Sequence, residues 1–385
     1  MRVILAIDPV RFPLTGIGRY TYELAGALAA NPQVEQLRYF SGLSFRDGLP
    51  NEGEVGVPGM AARLRPLKTL IARSETMMDL HQAVSHWRRG RALKDAGDAV
   101  FHGPNFYLPP FAGPSVVTIH DLSVFKWPQF HPPERVRFME REVALALKRA
   151  SVLITVSKAA GEELASYFNW PPERIHATPL ASSPEFRPRT AAETSASLQS
   201  LGLQHGGYSL FVGTIEPRKN IAGLLDAYGR LSVELRRRYP LVLVGFSGWQ
   251  NEAIMEKLRA AEAEGWARYL GFAEKSQLPD LFAGARAFLF PSFYEGFGLP
   301  VLEAMASGVP VVTSTSSSLP EVAGGAAILV EPNDVAAMTE GFAQALDDEA
   351  WREGASRMGL ENAAQFSWEN CAAETIVAYR KALGL

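Results

Sequence analysis

The sequence predicts an α/β protein with two doubly wound domains and a cleft between them. Its 385 residues exceed the length that one hydrophobic core usually serves. Short β-branched runs alternate with amphipathic stretches, which is typical of parallel sheets with crossover helices. The alternation occurs in both halves of the chain, and a proline-rich segment separates them. Such sheets bind ligands at the carboxyl ends of their strands, so we expect functional residues there.

Apolar and β-branched runs mark the expected strands. In the first half they cover residues 3–7, 99–102, 116–120 and 152–156, and residues 134–149 are predicted as an amphipathic helix. In the second half they cover residues 209–213, 241–245, 267–271, 287–291 and 310–313. Prolines interrupt residues 178–190, and a stretch of low hydrophobicity continues to Gln204. We therefore place the linker between the domains there.

Composition narrows the class of protein. A formal net charge of −3 and a pI near 6.2 give no overall basic surface of the kind that nucleic-acid binding requires. Cys371 is the only cysteine, so no intramolecular disulfide forms, which fits a reducing compartment. Asp8 and Arg11 interrupt the first apolar run, and no run reaches the length of a membrane span. We expect a cytoplasmic protein that binds no nucleic acid.

Residues 61–94 form a basic segment with apolar residues between the charges. Its basic residues are Arg63, Arg65, Lys68, Arg73, Arg88, Arg89, Arg91 and Lys94, against Glu75 and Asp79. One interpretation is a solvated helical face, which charge runs commonly form. The other is a surface that contacts anionic lipid, with the protein peripheral on the inner face of the cytoplasmic membrane.

The first motif with chemistry is a loop that leads from a strand end into a short helix at residues 300–308. Gly296 and Gly298 allow the loop backbone to approach a ligand, and the helix start offers unpaired amide donors. Glu295 on the loop and Glu303, predicted in the first helical turn, can accept hydrogen bonds from an extended polyol. The alternative is a solvated Glu295 and a Glu303 that only favours the helix dipole.

The second motif is the strand, loop and helix start at residues 212–220. Adjacent Arg218 and Lys219 at a helix entrance can neutralise a diphosphate, the arginine as a planar fork and the lysine as a point charge. The alternative is an ordinary surface loop. Gly213 and Pro217 rigidify the segment, however, and a loop that is only solvated would not need this rigidity.

Two weaker features lie in the first half. Gly16 and Gly18 follow the first strand and open a helix, without the complete glycine spacing of a dinucleotide fold. His120 and Asp121 stand at the carboxyl end of a strand, where Asp121 is placed to orient the histidine. A structural role for His120 is the alternative.

Several kinds of site have no counterpart in the sequence. The histidines and the cysteine lack zinc-ligand spacing, and no Asp-x-Asp stands ready to hold a divalent metal beneath a diphosphate. The phosphate-loop and nucleophile-elbow signatures are missing as well. We therefore expect no metal and no cofactor, with any diphosphate handled by protein cations and amides.

Taken together, these motifs resemble the retaining glycosyltransferases of glycosyltransferase family 4, which have the GT-B architecture of two facing Rossmann-like domains. The likeness is strongest from Tyr208 to Pro332, where residues 213–220, 295–303, 304–312 and 319–322 match family signatures in the right order. Thr15 departs from the glycine that many members carry. The resemblance implies an acceptor-binding domain at 1–185, a donor-binding domain at 186–365 and a C-terminal helix at 366–385 that crosses back.

The resemblance also implies roles for individual residues. Those matching Arg218 and Lys219 bind the donor diphosphate, and the one matching Glu303 binds the ribose. Glu295 would lie at the transferred sugar, with His120 beside it on the acceptor side. The remaining expected donor-binding residues are Gly16, Gly18, Thr214, Phe272, Gly296, Phe297, Gly298 and Leu299.

Within the family, the sequence is similar to bacterial mannosyl- or rhamnosyltransferases that build O-antigen chains from GDP-sugars. The resemblance implies transfer of a hexose, with mannose the best candidate, to a hydroxyl of a lipid-linked glycan. Retention of configuration arises either from a covalent intermediate on Glu295 or from attack on the same face, and the resemblance favours the latter. An epimerase of the same architecture would turn over donor without acceptor. A non-catalytic binder would lack the charged residues found here.

Overall fold

A computed structural model describes residues 1–14, 16–51 and 75–385, with the side chains of 83–385 described in the last range. It contains one parallel sheet in each half of the chain, which confirms the predicted α/β class. The first is 7-stranded, in the order β3-β2-β1-β4-β5-β6-β7, and only β3 runs antiparallel to its neighbour. The second is 6-stranded, in the order β10-β9-β8-β11-β12-β13, and is parallel throughout.

The strands of the first sheet are β1 Arg2–Ala6, β2 Gln36–Ser41, β3 Ser44–Arg46, β4 Val100–Gly103, β5 Ser115–Ile119, β6 Val152–Thr155 and β7 Ile175–Ala177. Those of the second are β8 Ser209–Val212, β9 Leu241–Val244, β10 Ala267–Gly271, β11 Ala287–Phe290, β12 Val311–Ser314 and β13 Ala327–Val330. Each predicted strand overlaps an observed one. Strands β2, β3, β7 and β13 are not among those that the sequence predicts.

Helices cover the sheets. In the first half they are α1 Gly16–Ala30, α2 Glu75–Ala92, α3 Ser123–Lys126, α4 Pro133–Arg149 and α5 Lys158–Phe168. In the second half they are α6 Ala191–Ser200, α7 Ile221–Gly229, α8 Val233–Arg238, α9 Glu252–Ala263, α10 Leu278–Ala283, α11 Leu299–Ala306, α12 Leu319–Ala323, α13 Val335–Asp347, α14 Glu349–Ala363 and α15 Trp368–Leu383. Of the helices in the described ranges, none is long and apolar enough to cross a membrane.

The second part of the predicted linker contains a helix, α6, at 191–200. Thr190 caps this helix: its hydroxyl accepts a hydrogen bond from the Glu193 amide at 3.3 Å, and the Glu193 carboxylate accepts one from the Thr190 amide at 2.8 Å. This reciprocal capping box satisfies two amides that the helix end would otherwise leave unpaired. A helix of low hydrophobicity is therefore stable here because its start is well capped.

The last helix, α15, packs on the first sheet. The Tyr379 hydroxyl lies 2.8 Å from Nδ1 of His102 on β4, and His102 Nε2 lies 2.8 Å from the Thr118 hydroxyl on β5. The Tyr20 hydroxyl of α1 is 2.9 Å from the same Thr118 hydroxyl. This buried polar network ties four elements together, α15, β4, β5 and α1, beneath the carboxyl end of β5, where His120 follows. The exact domain boundaries stay a prediction.

Only part of the basic segment lies in the described residues. Residues 61–74 fall outside them, whereas 75–92 form α2. Near the end of this helix, Arg89 pairs with Asp8 at 3.3 Å, which anchors it to the first sheet. Trp87 is 62 % exposed, and the Arg91 guanidinium lies 5.8 Å from its ring centroid. The described part of the segment thus has one attached face and one exposed aromatic face.

Candidate active site

The candidate site lies at the carboxyl ends of β8 and β11, which are neighbours in the second sheet. Because parallel neighbours end at the same edge, the loop after β8 and the loop after β11 meet there. The amide of Phe293 in the second loop donates to the carbonyl of Arg218 in the first at 2.9 Å. This backbone contact fixes the two predicted motifs against each other.

Three predicted site residues form one buried charged cluster. The Lys219 ammonium donates to Oε1 of Glu295 at 2.5 Å, and Nη1 of Arg218 donates to Oε2 at 3.1 Å. Arg218 also donates to the Tyr294 carbonyl at 2.6 Å and to the Glu216 carboxylate at 2.7 Å. The structure therefore brings together the cations and the loop carboxylate that the sequence places more than seventy residues apart.

The cluster sets the charge of its own members. Burial raises the pKa of the Glu295 carboxyl, but Lys219 and Arg218 lower it more, so that the pKa is about 2. Burial lowers the pKa of the Arg218 guanidinium, but the negative charges of Glu295 and Glu216 raise it more, so the pKa lies above its ordinary value. The pKa of Lys219 is lowered, first by burial and then by repulsion from Arg218. Glu295 is consequently an anion at neutral pH, with two cations at hand.

The loop that carries Glu295 is held by two serines. The Ser317 hydroxyl accepts a hydrogen bond from the Glu295 amide at 2.8 Å. The Ser318 hydroxyl lies 2.9 Å from the Glu295 carbonyl and 2.7 Å from the Phe297 carbonyl. Gly298 adopts φ +108° where a Cβ atom would come within 2.6 Å of Leu319, so only glycine fits. The backbone leading into α11 is thus rigid before any ligand arrives.

Glu303 lies elsewhere than predicted. It is the fifth residue of α11, so the expectation of a first-turn position is wrong. It is buried, and its Oε1 accepts a hydrogen bond from Nη1 of Arg19 on α1 at 2.7 Å. Burial raises the pKa of Glu303 to about 7, with Arg19 opposing the rise and Glu185 adding to it. This carboxylate therefore links the two halves of the chain.

His120 contacts the loop that carries Glu295 through its backbone. A Cβ atom on Gly296 would lie 2.0 Å from the His120 carbonyl oxygen, so the two halves touch here. Nε2 of His120 donates to the Pro104 carbonyl at 2.8 Å, and burial lowers the pKa of the ring, which stays neutral. Asp121 Oδ1 instead accepts from the Ser123 amide at 2.9 Å and from its hydroxyl at 2.7 Å. Asp121 thus binds Ser123 through these hydrogen bonds, and its role in orienting His120 stays a prediction.

A second contact across the cleft involves the start of α5. The Glu321 carboxylate accepts hydrogen bonds from the Lys158 and Ala159 amides, each at 3.0 Å. Ser157 caps the same helix by accepting from the Ala160 amide at 3.1 Å, and its hydroxyl also donates to the Gly296 carbonyl at 2.7 Å. A carboxylate at a helix N-terminus is favourable because it satisfies free amides and opposes the helix dipole. The second half thus completes the cap of a first-half helix.

The other predicted donor-binding residues lie on several elements of the two halves. Phe272, 50 % exposed, stacks on Phe246 with ring centroids 4.4 Å apart, which leaves a flat aromatic surface beyond β9 and β10. Thr214 follows β8, and its methyl group borders Gly248. Gly16 and Gly18 lie in the first turn of α1, and Arg19 follows them. Phe297, Gly298 and Leu299 lead into α11, as predicted.

Several residues of the site carry no signal that sequence reasoning could use. Arg19 directly follows Gly18, but its partner Glu303 is 284 residues away, and no local pattern connects them. Ser317 and Ser318 belong to a serine run just before α12, and such a run is only a turn signal. Across the described ranges, no group of His, Cys, Asp or Glu side chains has the arrangement of a metal site.

Solved structures share this fold. Anabaena Alr3699/HepE in complex with UDP and glucose matches with a TM-score of 0.71 at 18 % identity, over 98 % of this chain and 100 % of that one. At this identity the likeness defines the architecture, which is the GT-B fold of glycosyltransferases.

The sequence comparisons define the family. The description "Glycosyltransferase Family 4" matches residues 14–181, and "Glycosyl transferases group 1" matches residues 199–365. O-antigen chain mannosyltransferase B of Escherichia coli is 45 % identical over 380 residues, 99 % of this chain and 100 % of that protein. MMP alpha-(1->4)-mannosyltransferase of Mycolicibacterium hassiacum is 32 % identical, over 100 % of this chain and 98 % of that protein. The chain belongs to glycosyltransferase family 4, which confirms the resemblance seen in its motifs.

Proposed function

We propose that this glycosyltransferase moves mannose from GDP-mannose to a hydroxyl of a lipid-linked glycan in O-antigen synthesis, with the anomeric configuration retained. The observation that carries the proposal is the buried cluster of Arg218, Lys219 and Glu295 in a chain of this family. The end-to-end identity with a mannosyltransferase named for the O-antigen chain supports both the sugar and the acceptor class.

The cluster supports departure of the nucleoside diphosphate without help from a metal. As the sugar–phosphate bond breaks, negative charge grows on the nucleoside diphosphate. Arg218, Lys219 and the amides at the start of α11 are fixed beforehand, so they stabilise that charge without reorganising. A preorganised donor of this kind contributes about 3–4 kcal/mol to the transition state.

Glu295 is proposed to position the hydroxyls of the transferred sugar. Its two oxygens already accept from Lys219 and Arg218, and an ionised carboxylate has further lone pairs for sugar hydroxyls. We favour attack by the acceptor on the same face from which the diphosphate departs. Trapping a glycosyl adduct on Glu295 would contradict this assignment and establish the covalent route.

Beyond the diphosphate, the nucleotide continues with its ribose and then its base. Its ribose is proposed to bind Glu303, and its base to lie against Phe272. Aromatic side chains bind bases through stacking, which every base permits, so the Phe246–Phe272 pair supports a base site without selecting guanine.

A transfer assay tests the proposal directly. The protein is incubated with GDP-mannose and a lipid-linked O-antigen acceptor, and the product is examined by mass spectrometry and by NMR of the new anomeric centre. We expect one added hexose per turnover with retained configuration. Release of an altered sugar nucleotide in the absence of acceptor would instead indicate an epimerase. Binding of GDP-mannose without turnover would indicate a non-catalytic binder.

Peripheral contact with anionic lipid through residues 61–94 is a second proposal. Such contact would hold the protein on the inner face of the cytoplasmic membrane. The active site would then lie close to a lipid-linked acceptor. The exposed Trp87 with Arg91 against it supports this role, because tryptophan favours the membrane interface and arginine is attracted to anionic lipid. We expect co-sedimentation with vesicles of anionic phospholipid at low salt, weakened in Trp87→Ala. Absence of binding to these vesicles would exclude the proposal.

A further inference from the structure

Arg19 and Glu303 form a charged contact between the two halves of the molecule. Nη1 of Arg19 donates to Oε1 of Glu303 at 2.7 Å, and the two side chains are only 14 % and 7 % exposed. The guanidinium lies 6.0 Å from the ring centroid of Phe186, in the connection between the halves. The pair is therefore largely removed from water at the cleft.

Stability alone is a poor reason for such a pair. Removing two charges from water costs free energy that their attraction often fails to recover, and apolar replacements are frequently as stable. Glu303 also lies on the helix whose N-terminal loop carries the charged cluster. Within the described residues, its hydrogen bond to Arg19 goes to Oε1, which leaves Oε2 to accept a hydrogen bond from a ligand hydroxyl.

We propose that Arg19 is a donor-positioning residue, which reaches across the cleft to keep the Glu303 carboxylate ionised and aimed at the ribose of the nucleotide. The inference rests on the proposed function, in which Glu303 receives the ribose. A carboxylate can accept hydrogen bonds from both hydroxyls of a diol. A protonated carboxyl accepts fewer, because one of its oxygens carries a proton and donates. Arg19 thus acts on the donor only through Glu303.

The position of Arg19 gives this contact a second consequence. Arg19 lies on α1, which packs with the first sheet, whereas Glu303 belongs to the second half. The complete ribose site exists only when the two halves are together. Donor binding then favours the closed arrangement, because a ligand shifts an equilibrium toward the state with which it interacts more strongly.

The charge on Glu303 supplies a readout that a purely structural role would leave unchanged. Burial raises the pKa of Glu303 to about 7, and the charged groups that act on it are Arg19, which opposes the rise, and Glu185, which adds to it. The carboxylate therefore predominates above pH 7 in the intact site. Without Arg19 the same change in charge requires a higher pH.

The test measures the donor KM and kcat between pH 6.5 and 9 for the wild type, Arg19→Met, Arg19→Lys, Glu303→Gln and the double variant. At pH 7 we expect Arg19→Met to raise the donor KM about tenfold, with kcat less affected and part of the loss recovered toward pH 9. Arg19→Lys should be intermediate. The donor KM of the double variant should not exceed that of Glu303→Gln, because the carboxylate on which Arg19 acts is already gone.

The control is Arg38→Met, which removes the same charge from β2, where the side chain lies against Phe45. A wild-type KM and pH profile in Arg19→Met, or additive losses in the double variant, would overturn the inference. The assay uses GDP-mannose, or the corresponding mannose nucleotide if UDP, ADP or dTDP stabilises the wild type instead of GDP. A wrong base therefore refutes part of the proposed function while leaving the role of Arg19 open to measurement.

Discussion

The two halves of the molecule present their candidate site residues in different ways. In the second half, Arg218, Lys219 and Glu295 bond to one another, and serines of the same half fix the loop that carries Glu295. In the first half, His120 is held by one carbonyl and contacts that loop through its backbone. The charged cluster is thus assembled within the second half, whereas His120 in the first half and the Arg19–Glu303 pair become part of the site only through contact across the cleft.

Lys219→Ala removes a cation from the charged cluster and should have the largest effect on activity. Removing a preorganised cation costs about 3–4 kcal/mol in the transition state, so we expect turnover at saturating donor to fall about 10²-fold or more. Lys257→Ala is the matched control, because Lys257 forms an exposed pair with Asp226 in the same half. Near-wild-type turnover in Lys219→Ala would remove this lysine from the mechanism.

Gly296→Ala tests the contact between Gly296 and His120 across the cleft and leaves the charged cluster intact. The new Cβ atom would lie 2.0 Å from the His120 carbonyl, so the backbone on one side of the contact must shift. Misplacing reacting groups by about 1 Å can cost 10²-fold, so we expect kcat to fall by about that factor while GDP binding persists. Gly354→Ala is the control, since no atom lies within 4 Å of a Cβ atom there. Equal loss of GDP binding in Gly296→Ala would mean that the two sides are not separable.

Glu321→Ala should have a smaller effect on the same contact. It leaves the Lys158 and Ala159 amides without their acceptor at the start of α5. Lost caps typically cost about 0.5–2 kcal/mol, and we expect roughly tenfold lower kcat/KM with a comparable loss of stability. Urea unfolding and steady-state kinetics measure the two quantities. An unchanged kcat/KM would show that this contact does not govern closure.

Phe272→Ala should give the smallest effect, confined to donor binding. Stacking of a base on an aromatic ring is worth about 1–3 kcal/mol, so we expect the donor KM to rise about fivefold or more with kcat preserved. The half-exposed ring contributes little to folding, and Phe272→Tyr should retain affinity because it keeps the ring. A reduced kcat with unchanged KM would place this side chain away from the nucleotide.

The same contrast explains what sequence can predict. The donor motifs are contiguous and stand at strand ends, so their positions in the chain suffice to place Arg218, Lys219 and Glu295 in one site. The partner of Glu303 lies 284 residues away on another element, and only the three-dimensional contact reveals it. Short or polar strands such as β3, Ser44–Arg46, carry too little apolar pattern to be recognised. The helix at 191–200 has a weak apolar pattern, and its one strong signal is the capping pair of Thr190 and Glu193.

We propose that Arg218 and Lys219 hold the diphosphate of a guanine nucleotide. A thermal-shift panel of GDP, UDP, ADP and dTDP tests it most directly, because a ligand at a hundredfold excess over its Kd stabilises the fold by about 2.7 kcal/mol. We predict that GDP raises the Tm of the wild type more than the other nucleotides do, and that the shift is lost in Lys219→Ala. A larger shift with another nucleotide, or an equal shift in Lys219→Ala, would contradict the claim.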